Sequence, residues 1–265
     1  MSLASPPSPR SERADASVVV FAGDAVGLAV GRTLAARGER CTGLVLDAAD
    51  PKGVNAALAG LRWSDQVRPV GRRWSAEDLA WLRALAPDWI VLAWWPYLVD
   101  PAVIGAARDG CLNFHPSLLP DGAGRNPNFW ALVEGTPFGV TIHHVTEVID
   151  GGDIAWQAPL PVSWEDTGAS LHARAGQAVV ELFARHWDEL KRGEVPRHPQ
   201  PAGARRYHRG DAMQAASVLA LDERRPVREV LDLIRARTFE PHPAVRFEDA
   251  GRTYEVRISI REVKP

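Results

Sequence analysis

A chain of 265 residues with 46% hydrophobic and 24% charged side chains has the composition of a globular protein with a sizeable core. Its formal net charge of −2 counts against a nucleic-acid partner, which needs a basic face, and no apolar run is long enough to span a bilayer. Two cysteines, Cys41 and Cys111, in unrelated contexts give no CxxC and no disulfide framework, so a reducing, cytoplasmic location is expected.

Residues 1–16 are Ser/Pro-rich and lack an apolar h-region, which reads as a disordered leader and not a signal peptide. SVVVFAG (17–23) is a β-branched run ending in glycine and reads as a buried first strand. The helical pattern that follows carries Gly23, Gly27 and Gly31 at four-residue spacing and closes at Gly38. It is not GxGxxG, and the dinucleotide-binding fingerprint is absent. CTGLVLD (41–47) is a second strand. Ser75 and Asp78 form a capping-box start for a helix through Leu85, with Leu79, Leu82 and Leu85 on one face and Pro87 as its stop. DWIVLA (88–93) is a central strand buried on both faces. Alternating strands and helices predict an α/β fold with a doubly wound, mostly parallel sheet, and such sheets bind ligands at the carboxyl ends of their strands. Trp94, Trp95, Pro96 and Tyr97 lie at one such end.

GVTIHH (139–144) is another expected strand. Residues 167–190 read as one long amphipathic helix, capped near Asp166 or Thr167. The Pro/Arg/His-rich segment 191–210 reads as a linker. A short helix over 227–237 and a strand pair, 244–247 with 252–260, make a small C-terminal α+β appendage. The expected division is a main domain over 17–200, then linker and small domain over 201–265.

Three pieces carry candidate chemistry: CLNFHPSLLP (111–120), DGAGRNPNFW (121–130) and VIDGGDI (148–154). Asn113 and His115, two apart in an extended backbone, point to the same side. An amide can donate to a developing oxyanion and an imidazole can move a proton near neutral pH. Asn as a turn former and His as a satisfied core group is an equal reading of that spacing alone. Asp150, before the turn-forming Gly151 and Gly152, is the carboxylate for orienting His115 or relaying its proton, and equally a plain turn residue. Cys111 reads as a buried thiol and not a nucleophile.

Taken in order, Asn-x-His-Pro-Ser-Leu-Leu-Pro, a Gly/Arg loop followed by Pro, Gly-Val-Thr-Ile-His and Asp-x-Gly-Asp-Ile resemble the folate-dependent formyltransferases. The resemblance covers roughly residues 18–200 and implies that family's Rossmann-like catalytic core. Asn113, His115 and Asp150 match its catalytic Asn–His–Asp triad, and the implied donor is N10-formyltetrahydrofolate. The implied pterin site lies along residues 93–99 and the 143–153 loop, with Trp95, Pro96, Tyr97, His143, Gly151, Gly152 and Asp153 as its residues. The two tryptophans read equally well as core. RNPNFWALVEG (125–135) and the tail 231–256 are similar to the sugar N-formyltransferases, which makes Arg125, Asn126 and Trp130 acceptor-binding candidates and a nucleotide-linked amino-deoxy sugar the expected acceptor. Those enzymes are often dimers, so a homodimer is an open expectation; no membrane partner and no metal is implied.

One departure stands out. The family usually reads Pro-x-x-Arg-Gly after Leu-Leu-Pro, and here Ala123 replaces that Arg, with Arg125 the nearest substitute. The basic run 205–209 suits either a diphosphate or a solvated linker face. The alternatives are transfer to methionyl-tRNA or another small amine, hydrolysis of the same formyl-folate, a Rossmann oxidoreductase lacking its fingerprint, and a non-catalytic binding module.

Overall fold

The first strand forms where expected. In the computed structural model, which describes residues 15–64, 66–201 and 206–263, β1 (Val18–Ala22) is buried along its whole length. Val18, Val20 and Ala22 face one core while Val19 and Phe21 face the other, the two-sided burial that a sheet covered by helices requires. Asp24 caps α1 (Ala25–Ala36) by accepting from the Val26 and Gly27 amides. β2 (Gly43–Asp47), α2 (Asn55–Gly60) and β3 (Val67–Val70) complete the first half of the sheet.

The Ser75–Asp78 capping box opens α3 (Ala76–Ala84), and β4 (Trp89–Ala93) follows. After α4 (Pro101–Ile104) comes β5 (Gly110–His115), the strand that carries Asn113 and His115. Two elements, β6 (Ala123–Gly124) and α5 (Pro127–Glu134), lie between it and the next long strands, β7 (Phe138–His144) and β8 (Ile154–Leu160), which are hydrogen-bonded to each other. The expected loop over 121–130 is therefore shorter than its sequence suggests. Pro127, suited to the first helical turn, starts α5 inside it.

The main sheet has seven strands in the order β3-β2-β1-β4-β5-β7-β8. The first five are parallel, and β7 and β8 are antiparallel additions. This is the expected α/β, doubly wound, mostly parallel architecture.

The expected helix over 167–190 is two helices. α6 (Gly168–Arg185) begins with a Thr167–Ser170 capping box, and α7 (Trp187–Arg192) follows a break at His186. No Pro or Gly marks that break. The His186 ring is stacked on Trp156, with centroids 4.8 Å apart, and its Nδ1 lies 3.0 Å from Glu189. A tertiary contact fixes the interruption.

Within the 191–210 linker, β9 (Tyr207–His208) pairs with β6; Ala202, Gly203, Ala204 and Arg205 lie outside the described residues. The leader expected over 1–16 falls almost wholly outside them too. α8 (Ala212–Ala216), β10 (Val218–Leu219), α9 (Val227–Arg237), β11 (Val245–Asp249) and β12 (Arg252–Val256) form the appendage, with a three-stranded sheet of its own and α9 packed on α5.

Candidate active site

β5 delivers Asn113 and His115 to one side, at the carboxyl end of the parallel strands. Both line a cleft of about 740 Å³ that His143 and Asp150 also line. On the antiparallel neighbour, His143 is the direct partner of Asn113, and the Asn113 Nδ2 group lies 3.1 Å from His143 Nε2. Asp150 follows β7 in a turn, with φ of 51°. A non-glycine residue in that left-handed region is uncommon and tends to mark a functional or turn position. Gln200 clamps the turn by donating to the carbonyls of Asp150 and Gly152, each at 2.8 Å.

Hydrogen bonding assigns the imidazole protons. His115 is 5% exposed, and its Nε2 lies 2.9 Å from the Gly122 carbonyl, which can only accept. Its proton therefore sits on Nε2, and Nδ1 faces Asp150 Oδ1 at 3.6 Å. His143 Nδ1 lies 3.0 Å from the His144 carbonyl, and its Nε2 lies 3.1 Å from Asn113 Nδ2 and 3.5 Å from the same Asp150 oxygen. One carboxylate oxygen thus stands between the two imidazole rings.

Burial pushes the Asp150 carboxyl up, but His143, His115 and the Gly124 amide outweigh it and hold the group at about 2. Burial also pushes His115 down from its ordinary value, against the Asp150 charge and the Gly122 carbonyl. At pH 7 the site presents an ionised Asp150 beside a neutral His115. That set can take up a proton on His115 Nδ1, with the charge of Asp150 facing the imidazolium that results. The second Nδ2 hydrogen of Asn113 is a donor for a developing oxyanion.

The sequence-based candidates divide cleanly. Trp95, Pro96, Tyr97, His143 and Arg125 line the same cleft as the triad residues. Trp95 is 8% exposed and packs edge-on against Phe21 and Tyr97, so its ring belongs to the core and gives the cleft an edge. Tyr97 donates its hydroxyl to Asp47. Gly151, Gly152, Asp153, Asn126 and Trp130 are not among the lining residues. Gly152 has a packing role, because a Cβ there would sit 1.9 Å from the His144 carbonyl oxygen. The Asp153 carbonyl accepts from the His144 amide, Asn126 caps α5 in a left-handed conformation, and Trp130 stacks on His208. Ala123 is buried in β6 and away from the cleft, whereas Arg125 reaches it. Cys111 is buried, and burial pushes its thiol up.

Sequence reasoning missed two groups. Thr141 Oγ1 donates to the Ser117 carbonyl at 2.7 Å and accepts from the Leu119 amide and Gln157, which fixes the chain just after His115. Asp211 joins Tyr207 and Arg209, from the basic run that the sequence offers to a diphosphate, in a wall of the cleft. Thr141 was visible only as part of a strand pattern, and Asp211 lies just beyond the run. Among the described residues no cluster of three or more His, Cys, Asp or Glu could hold a metal ion, and no helix is long and apolar enough to cross a membrane.

Comparison with known proteins adds an independent line. A methionyl-tRNA formyltransferase from Synechococcus sp. (strain JA-3-3Ab) is 35% identical over 170 residues, 64% of this chain and 52% of that protein, so the match spans about half the length of the curated relative. Among solved structures, a 4-N formyltransferase from Francisella tularensis superposes with a TM-score of 0.79 at 20% identity, covering 94% of this chain and 99% of that one. An N-formyltransferase from Helicobacter canadensis, solved with folinic acid and dTDP-3-aminofucose, gives a TM-score of 0.69 at 14% identity over 89% and 85% of the two chains. At such identities these likenesses establish the fold. Residues 213–262 match the N-formyltransferase dimerization C-terminal domain. Residues 46–186, more than half of the chain and all of β5, β7 and the Asp150 turn, match the formyl transferase family, and the chain belongs to it.

Proposed function

We propose that the protein transfers a formyl group from N10-formyltetrahydrofolate to the amine of a nucleotide-linked amino-deoxy sugar in the cytoplasm. The observation that carries this reading is the convergence of Asn113, His115 and Asp150 on one cleft. The neutral amine attacks the formyl carbon, forming a C–N bond and a tetrahedral oxyanion. The Asn113 amide donates to that oxyanion. His115 Nδ1 takes the proton that the amine loses, directly or through a water, and Asp150 stabilises the resulting cation. Collapse breaks the bond to N10, which takes the proton back from His115, directly or through a water, so tetrahydrofolate and the formamide leave and His115 is neutral again.

The two walls of the cleft suit two ligands. Trp95, Pro96, Val99 and Ile104 offer an apolar face for a pterin, and Arg125 and Arg209 offer guanidinium groups to phosphate oxygens. The acceptor assignment draws on the sugar nucleotide bound by the Helicobacter relative. A net charge of −2 disfavours tRNA. The dimerization-domain match supports a homodimer.

The test is a screen of formyl-folate with dTDP-, UDP- and GDP-linked 3- and 4-amino sugars, following tetrahydrofolate release. Turnover with one of these classes is expected. Turnover only with charged methionyl-tRNA overturns the acceptor assignment, and equal release with no acceptor makes the protein a hydrolase.

A further inference from the structure

Residues 122–125 have two working edges. The Gly122 carbonyl accepts from His115 Nε2 at 2.9 Å, and the Gly124 amide donates to Asp150 Oδ2 at 2.9 Å. The amides that alternate with these turn the other way: Ala123 donates to the Arg206 carbonyl at 3.0 Å and Arg125 to the His208 carbonyl at 2.9 Å. In an extended strand, successive backbone groups project to opposite edges, so one edge serves the triad and the other serves β9. There is no slack between the strands. Gly124 has φ of 92°, and a Cβ on it would lie 2.2 Å from the His208 carbonyl oxygen.

β9 is itself clamped to α5. The His208 ring stacks on Trp130 with centroids 3.8 Å apart and planes 8° from parallel. Its Nε2 lies 3.0 Å from Glu134 Oε1, and Arg206 Nη1 lies 3.3 Å from Glu134 Oε2. Trp130 and Glu134 are one helical turn apart, so both grip the same spot. His208 and Trp130 do not line the cleft.

We propose that β9, seated by the His208–Trp130–Glu134 clamp, is the positioning element of the triad. The clamp fixes β9, β9 fixes residues 122–125, and these fix the Nε2 proton of His115 and the orientation of Asp150. The proposal rests on the catalytic reading of the site and makes His208 a positioning residue. It also gives Trp130 a role at one remove from the acceptor it was expected to touch. The titratable groups facing His115 are Asp150 and His143, and neither touches His208.

The experiment uses the full chain labelled with 15N. Imidazole spectra of the wild type, His208→Ala and His208→Phe report the tautomer of His115 without any substrate. The wild type should show a single Nε2–H form. His208→Ala should show a mixture at His115 while His186, remote on Trp156, is unchanged. His208→Phe keeps a ring on Trp130 and should retain the wild-type signal. With substrates, kcat of His208→Ala should fall by at least about tenfold with donor KM unchanged, and His208→Phe should recover most of it. A wild-type His115 signal and kcat in His208→Ala overturn the proposal, as does equal loss in both variants. Should His208→Ala fail to fold, Trp130→Leu removes the same stack from the opposite side and is read in the same way. Absence of formyl transfer in the wild type would reject the functional reading instead, and the spectra would still decide the role of β9.

Discussion

Asp150→Asn separates the charge of Asp150 from its shape. The amide keeps an oxygen to accept from Gly124 but loses the negative charge that His115 and His143 face. The carboxyl is held at about 2 against an ordinary 3.8. At about 1.4 kcal/mol for each unit of pKa, that difference favours the ionised folded state by about 2 kcal/mol. The value is depressed in the folded state, so the contribution is complete above the unfolded value of 3.8 and is lost as pH falls from there towards about 2. Urea denaturation should therefore find the wild type gaining about 2 kcal/mol relative to Asp150→Asn as pH rises from about 2 to about 4, with the slope unchanged. A difference between the two proteins that stays constant across that range would refute the claim that this charge is stabilised by its surroundings. Formyl transfer by the variant should fall by about 10²–10⁴, the usual scale for losing an acid–base partner.

Two other outcomes are expected. Burial keeps His115 below its ordinary 6.5, so its basic form prevails at pH 7 and kcat should drop only as pH falls through a value below 6.5; an acid limb at or above 6.5 contradicts the role as proton acceptor, as would near-normal turnover by a folded His115→Ala. Thr141→Val keeps the shape of a fully buried side chain but strands its partners at Ser117, Leu119 and Gln157. It should cost about 1–3 kcal/mol in denaturation, and a change below about 0.5 kcal/mol would mean that the network is not what holds the chain after His115.

The parts of this architecture that were legible from sequence are those encoded locally. β1 and β4 announce themselves as β-branched and apolar runs because both faces are buried, and α3 because Ser75 and Asp78 cap it by themselves. β3, β8 and β9 were not legible. β3 reads VRPV and is largely exposed, β8 carries Pro159 near its end, and β9 is two residues long, so each exists only through a distant partner. α5 was hidden because a loop-like RNP run precedes it. In the site, Asn113, His115 and Asp150 were recoverable from the ordered motifs. Gln200, Thr141 and Asp211 were not, since nothing in their own sequence neighbourhood marks them, whereas Tyr207 and Arg209 belong to the basic run 205–209 that did stand out.

The division between legible and hidden parts follows the chemistry. The proposed reacting set sits where the sheet changes from parallel to antiparallel pairing, between β5 and β7. Asn113 and His143 are a direct cross-strand pair there, and Asp150 enters through the turn that leaves β7. All of it lies within residues 113–150, so one short stretch of chain carries the amide, the imidazoles and the carboxylate that meet in the cleft. The walls come from elsewhere: the end of β4 supplies Trp95 to Val99, and the segment after the main sheet supplies Tyr207 to Asp211. Exchange of side chains on either wall therefore changes what the cleft holds while the amide, imidazole and carboxylate keep their geometry. The exception is the strand at 122–125, whose backbone belongs to both. A substitution that shifts β9 reaches His115 and Asp150 through hydrogen bonds, and such a change would alter turnover as well as affinity.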